Sequence, residues 1–471
     1  MFAYILKRLA LFLPTWGLIS VIVFALSRCA SGDAVTEKLR SNAESTTGQT
    51  ISKALYTETA IQLGLDKPTF YFSIVPAAFP DTFYKILKRD ERKAAEELVW
   101  QYGNWATISN YRQAVAHFLS DLEKTPIQPL IRRDRNESER VSRLQNEAAQ
   151  LPIQSDTTAI QFYLNKLRQI ADTSLWQGEV KKVSDAYNAL KINPARENLY
   201  FPKLSWYGFD NQYHHWLKKV LSGDFGDSKK DMTVAKRLHD PLSITAILGS
   251  LTLILSFLIG ILLGVYVAMF RHKRRGQWLM RGLFAIYAMP NFWLATLGAM
   301  YLATPYYGLQ IVEGIGLSPD IPVGANVWQV LWLSANRLIL PIICLAIHPI
   351  TVIARQMQAS VTAVLSQDYI KTAQAKGLSK QQVIWKHAVR NALTPIATLL
   401  GSMIPAVVGG AFAIEMIFSI PGMGMTAVEA IQSDDWQVVY AVLLLVSAVI
   451  LLGNLLTDIL YKWLNPRIVY Q

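Results

Sequence analysis

The chain has 471 residues, 52% of them apolar and 17% charged, with a net charge of +12. That is too apolar for an ordinary soluble protein and too charged for one wholly buried in lipid, so membrane helices must be joined to a sizeable aqueous part. The positive charge is no nucleic-acid footprint: Arg and Lys crowd the short segments flanking apolar runs, and no basic stripe interleaves with stacking aromatics.

The first element is an apolar run over residues 9–27, preceded by Lys7 and Arg8. It is nearer the roughly 20 residues that span a bilayer than the about 7–15 of a signal-peptide core. It therefore predicts a first transmembrane helix within residues 1–30, amino terminus inside. The two cysteines are Cys29, at the end of this run, and Cys344, inside a later one. They suit neither a disulfide nor a metal site. Leu26-Ser27-Arg28-Cys29 is superficially like a lipoprotein cleavage site, but Arg28 stands where a small residue is wanted.

Nothing in residues 34–240 spans a membrane; the region is predicted extracytoplasmic from residue 31. Helical stripes run through it. Tyr111, Ala114, Val115, Phe118, Leu119 and Leu122 make one, and Val141, Leu144, Ala148 and Leu151 a second. Ile160, Tyr163, Leu164, Leu167 and Ile170 make a third, after a candidate cap at Asp156. Val180, Val183, Tyr187 and Leu190 make a fourth. Each needs a partner, so a helical bundle or helix-pair array is expected. The charged run at residues 132–140 reads as a solvated helix face, or else as a docking site.

Further spans are predicted at residues 241–270, 282–305, 338–354, 396–418 and 438–460. Arg271 to Arg275 follows the first of these as a basic stop, and Arg337 and Arg355 bracket the third. Six helices with both ends cytoplasmic satisfy the charge bias at every loop. The fold class is thus an all-α polytopic membrane protein with an extracytoplasmic helical part.

Between the spans at 338–354 and 396–418 lies a polar, basic stretch, residues 368–395, which the charge bias places in the cytoplasm. Lys371, Lys376, Lys380, Lys386 and Arg390 oppose the single acid Asp368. It reads as two short helices around a glycine. Gly377 suits the left-handed residue that closes the first, and Ser379 with Gln382 suits a capping box that opens the second. Val383, Ile384, His387 and Ala388 share a face of that second helix.

No catalytic constellation appears. There is no nucleophile elbow, no H-E-x-x-H and no G-x-x-x-x-G-K-[ST], so neither a catalytic residue, a metal centre nor a P-loop nucleotide site is predicted in this chain. Intramembrane polar residues are functional candidates by default. His348 either lines a substrate path or is satisfied by a neighbouring helix. Glu415 either faces an aqueous pathway or approaches the outer interface. Asn454 and Asp458 share one face of the last span. Gly401, Pro405, Gly409 and Gly410 allow close helix approach or a broken helix.

The polar stretch carries a resemblance. Its D-Y-x-x-x-A-x-A-K-G-L-S from Asp368 and H-x-x-x-N-A-x-x-P from His387 resemble the EAA cytoplasmic loop of ABC-importer permeases, in the dipeptide/oligopeptide/nickel branch. The match falls on Asp368, Tyr369, Ala373, Ala375, Lys376, Gly377, Leu378, Ser379, His387 and Asn391. Phe418 with Pro421-Gly422-Met423-Gly424 is similar to the family's F-x-x-P-G-x-G turn, and Glu415 to an acid found before it. Leu63 to Pro68 and Trp216 to Ser228 resemble its extracytoplasmic loop. Those pieces lie close together in relatives, which marks residues 71–205 as an insertion. Ser31-Gly32-Asp33 and Asn465-Pro466-Arg467 depart from the family's Pro-Gly-Asp and Asp-Pro-Arg.

The resemblance implies a non-catalytic permease subunit of the bacterial inner membrane. Its core would be residues 241–467, with the coupling loop at 361–395 seated on a separate ATPase. Gly409 and its neighbours, with His348 and Glu415, would lie along the translocation path. The implied partners are a second permease subunit, two P-loop ATPase subunits that hold ATP and Mg, an extracytoplasmic solute-binding protein and membrane lipid. The chain itself would hold no cofactor. An ion-coupled secondary transporter and a membrane-anchored binding or assembly protein are the alternatives. The substrate is not legible.

Overall fold

The computed structural model describes residues 2–29, 33, 35–36, 38–39, 53–124, 135–171, 176–229, 232–305, 311–322 and 324–464. The chain divides into two compact units, one of Met1–Ala30 with Val220–Gln471 and one of Ser31–Lys219.

The first unit is built from long apolar helices. Among the described residues, four helices are long and apolar enough to cross a membrane: Leu9–Cys29, Val234–Met269, Ala335–Leu365 and Trp436–Thr457. Arg274–Tyr287 and Asn291–Ala303 qualify only as a pair, bent by 94°. The crossing expected over residues 282–305 is thus a bent pair rather than one continuous helix. Pro290 is the reason: it has no N–H to continue a helix and it pushes Met289 out of helical geometry. The chain restarts there, with Trp293 and Leu294 donating to the Pro290 carbonyl. The crossing expected over residues 396–418 falls in the helix Arg390–Ile417, part of whose side chains lies outside the described residues.

Other helices outrun their expected limits. Pro241 lies inside the helix Val234–Met269, and Ala335–Leu365 contains both Pro341 and Pro349. Neighbouring helices tolerate such prolines in membrane spans. These two helices approach closely where Gly260 and Gly264 meet Ile353 and Met357: a Cβ on either glycine would fall within 2.8 Å of those side chains. Small residues four apart allow backbones to pack at this range.

The second unit contains a helical bundle around its own core. Tyr111, Val115, Phe118 and Leu122 of the helix Trp105–Lys124 are buried with Val141, Leu144, Ala148 and Leu151. Ile160, Leu164 and Leu167 of Thr157–Ala171 join them, as do Val180, Val183, Tyr187 and Leu190 of Gln177–Ile192. Every predicted stripe faces this core, each fully buried leucine contributing about 2 kcal/mol. The sequence reading missed the helix Arg89–Tyr102. Its buried face is Ala94, Ala95, Leu98 and Val99, short and half alanine, so charge masks its period. It also missed a two-stranded antiparallel ribbon, Phe72–Pro76 with Pro202–Trp206, registered with Ser73 opposite Ser205.

Candidate functional site

The polar stretch folds as a short helix, Asp368–Ala375, a glycine turn, and a second helix. Asp368 sits in the first turn, where a carboxylate opposes the helix dipole, and accepts an ion pair from Lys371 at 2.8 Å. Gly377 takes φ 81°, and its N–H donates to the Gln374 carbonyl at 3.0 Å. Ser379 and Gln382 form the reciprocal box: the Gln382 N–H donates to Ser379 Oγ, and the Ser379 N–H to Gln382 Oε1. Both features are where the sequence places them. The second helix differs from expectation. After Lys380–Gln382 the chain widens into a π-helical segment, Val383–Val389, and runs on as Arg390–Ile417. No glycine or proline interrupts residues 380–394, so nothing there ends a helix.

The element has two faces. Ile370, Ala373, Val383, Ile384 and Ala388 are buried against Val265 and Ala268 of one spanning helix and Met357 and Val361 of another. Ala375, Lys376, Gly377, Leu378 and Ser379 form the exposed face. Ala373, one of the positions that match the family loop, points inward, and its smallness serves packing within the chain. A Cβ on Gly377 would meet no atom of the described residues, so its requirement is conformational. Tyr369 and Asn391 are brought together: Asn391 Nδ2 donates to Tyr369 Oη at 2.7 Å and so ties the two halves across the turn. His387 is half-buried on the second helix.

The intramembrane candidates separate. Glu415 is fully buried. Its carboxylate accepts from Thr245 Oγ1 at 2.7 Å and from the Gly424 and Met425 amides at 2.7 and 3.3 Å. It therefore caps the helix Met423–Gln432, where N–H groups have no helical partner. The sequence leaves Glu415 between an aqueous pathway and the outer interface; in the folded chain its carboxylate faces these three donors. Gly422 and Gly424 are explained with it, because a Cβ on either would fall within 3.0 Å of the carboxylate. His348 is half-buried, its ring 5.0 Å from that of Tyr287, and its Nδ1 is buried with no hydrogen-bond partner among the described residues. Asn454 is exposed. The side chains of Asp458 and of residues 404–411, with Gly409 among them, lie outside the described residues.

A buried ion pair escaped the sequence reading. Arg237 Nη1 lies 2.5 Å from Asp435 Oδ2, which also accepts from Ser228 Oγ at 2.6 Å and the Lys229 amide at 3.0 Å. It joins the first turn of Val234–Met269 to the residue just before Trp436–Leu464. Each charge alone reads as an ordinary residue flanking an apolar run, and no sequence signal links them.

Residues 260–470 match the family described as binding-protein-dependent transport system inner membrane component. The chain is 35% identical to the dipeptide transport system permease protein DppB of Bacillus subtilis (strain 168), over 55% of this chain and 78% of that one. It is 32% identical to the oligopeptide transport system permease protein AppB of the same organism, over 59% of this chain and 87% of that one. It is also 35% identical to DppB of Escherichia coli (strain K12), over 55% and 81%. With its spanning helices and relatives of this identity covered over most of their length, the chain belongs to the inner-membrane permease components of binding-protein-dependent transport systems.

Proposed function

We propose that this permease imports peptides or related solutes, and that ATP hydrolysis on separate subunits drives it through the loop at residues 368–395. The observation that carries this reading is the two-faced loop: an exposed helix–glycine–helix surface whose underside is packed onto two spanning helices. Such an element is rigid toward the membrane and open toward a partner. Peptide transport is the function named for the relatives above. The partners are a second permease subunit, two ATPase chains holding ATP and Mg, and an extracytoplasmic solute-binding protein. The topology is six crossings of the bacterial inner membrane with both termini in the cytoplasm.

Alternating access follows if ATP and the loaded binding protein favour different states of the helices, since a ligand shifts an equilibrium only through differential affinity. An ion-coupled transporter is less well supported. It wants ionisable residues available near the midplane, whereas Glu415 is committed to a helix cap. His348, whose ring lies 5.0 Å from that of Tyr287 in the bent helix pair, is the better candidate for the substrate path.

The loop assignment is tested at Gly377. Gly377→Val cannot hold φ 81° cheaply, at a cost of about 1–2 kcal/mol. It should abolish co-purification of the ATPase. Gly377→Asn tolerates the left-handed conformation and should retain more of it. Normal ATPase capture and transport by the valine variant would remove the loop from the coupling path.

A further inference from the structure

We propose that His117, Asp121 and Glu179 bind a divalent transition-metal ion of the zinc class on the helical bundle. The helices Trp105–Lys124 and Gln177–Ile192 pack along each other, with the Tyr111 and Tyr187 rings 5.4 Å apart in the seam. His117 and Asp121, one turn apart, share a face beside that seam. Glu179 comes to them from the first turn of the other helix. One ligand atom of each residue lies within 4.8 Å of the other two. His117 is exposed, and Asp121 and Glu179 are half-buried, so the site is reachable yet anchored.

The donor set discriminates. An imidazole nitrogen with two carboxylates suits zinc-class ions, whereas calcium and magnesium take oxygen ligands. Tetrahedral zinc with bonds near 2.0 Å holds its donors about 3.3 Å apart. His117 Nδ1 and Asp121 Oδ2, now 2.8 Å apart, need open only slightly, and Glu179 moves in by rotation. Water takes the fourth position. Two carboxylates balance the ion's charge, and the imidazole binds in its neutral form. Lys182 Nζ, 2.6 Å from Glu179 Oε1, is a competing cation; it is on a largely exposed side chain and must swing away. An ion held this way ties two helices of a unit that contains no cysteine.

The test is calorimetric titration of the detergent-solubilised full chain, stripped with chelator, using zinc chloride and, separately, calcium chloride. One zinc per chain is expected. Affinity should fall by at least about tenfold in His117→Ala and in Glu179→Gln, and rise in Lys182→Ala. Calcium should not bind there. The variants sit at exposed or half-buried positions, and circular dichroism checks that each keeps its helix content. No stoichiometric zinc, zinc binding unchanged in both ligand variants, or calcium binding equal to zinc with His117→Ala silent would each overturn the proposal.

Discussion

Glu415 shows how one residue changes meaning on folding. A carboxylate inside an apolar span reads as a transport residue, yet three protein donors satisfy it and the P-G-x-G turn is shaped around it. Glu415→Ala strands two amides and the Thr245 hydroxyl in a buried place, which should cost about 2–4 kcal/mol. Thermal unfolding of the solubilised protein should show the loss, with Glu415→Gln intermediate because one acceptor remains. A Glu415→Ala variant that unfolds like the parent but fails to transport would return the residue to the substrate path. Gly377 and the Ser379 box were legible because cap geometry involves only residues a few positions apart. The Arg237–Asp435 pair was not, since its partners stand at the starts of two different helices. Removing either partner strands a buried charge, a loss of about 3–5 kcal/mol.

Among the elements, amphipathic stripes were the most legible, because a helix in water must bury its apolar face and the period records which face that is. The helix Thr157–Ala171 also shows its start. The Thr158 hydroxyl and the Ala159 amide donate to Asp156 and hold its carboxyl below the usual range. Its folded value is thus lower than its unfolded one, so the cap's stabilisation is present above the ordinary aspartate range and is lost as pH falls through the lowered value. Hydrogen-exchange protection of the first turn should fall on acidification below about pH 4. Asp156→Asn, which caps without titrating, should remove that step; an identical acid response in the variant would assign the effect to another group. The bend at Pro290 was not legible in the span expected over residues 282–305, because hydropathy is blind to direction.

At the scale of the molecule, the segment over residues 71–205 is closed at its ends by the ribbon, with Phe72 opposite Trp206 and Pro76 opposite Pro202. Strand partners lie about 5 Å apart, so the segment can be cut out and Val75 joined to Lys203 through a short turn. The shortened permease should still co-purify with its ATPase, while docking of the solute-binding protein weakens. Unchanged docking would show that the segment is not part of that surface. Apolar runs, charge bias and local caps settle the class of protein, most of its helices and the form of the loop, because hydrophobic burial and capping act within one element. Which face of the loop is buried, why Glu415 is there, the ion pair at Asp435 and the convergence of His117, Asp121 and Glu179 needed the folded chain. Those depend on contacts between elements distant in sequence, and no single-element pattern encodes them.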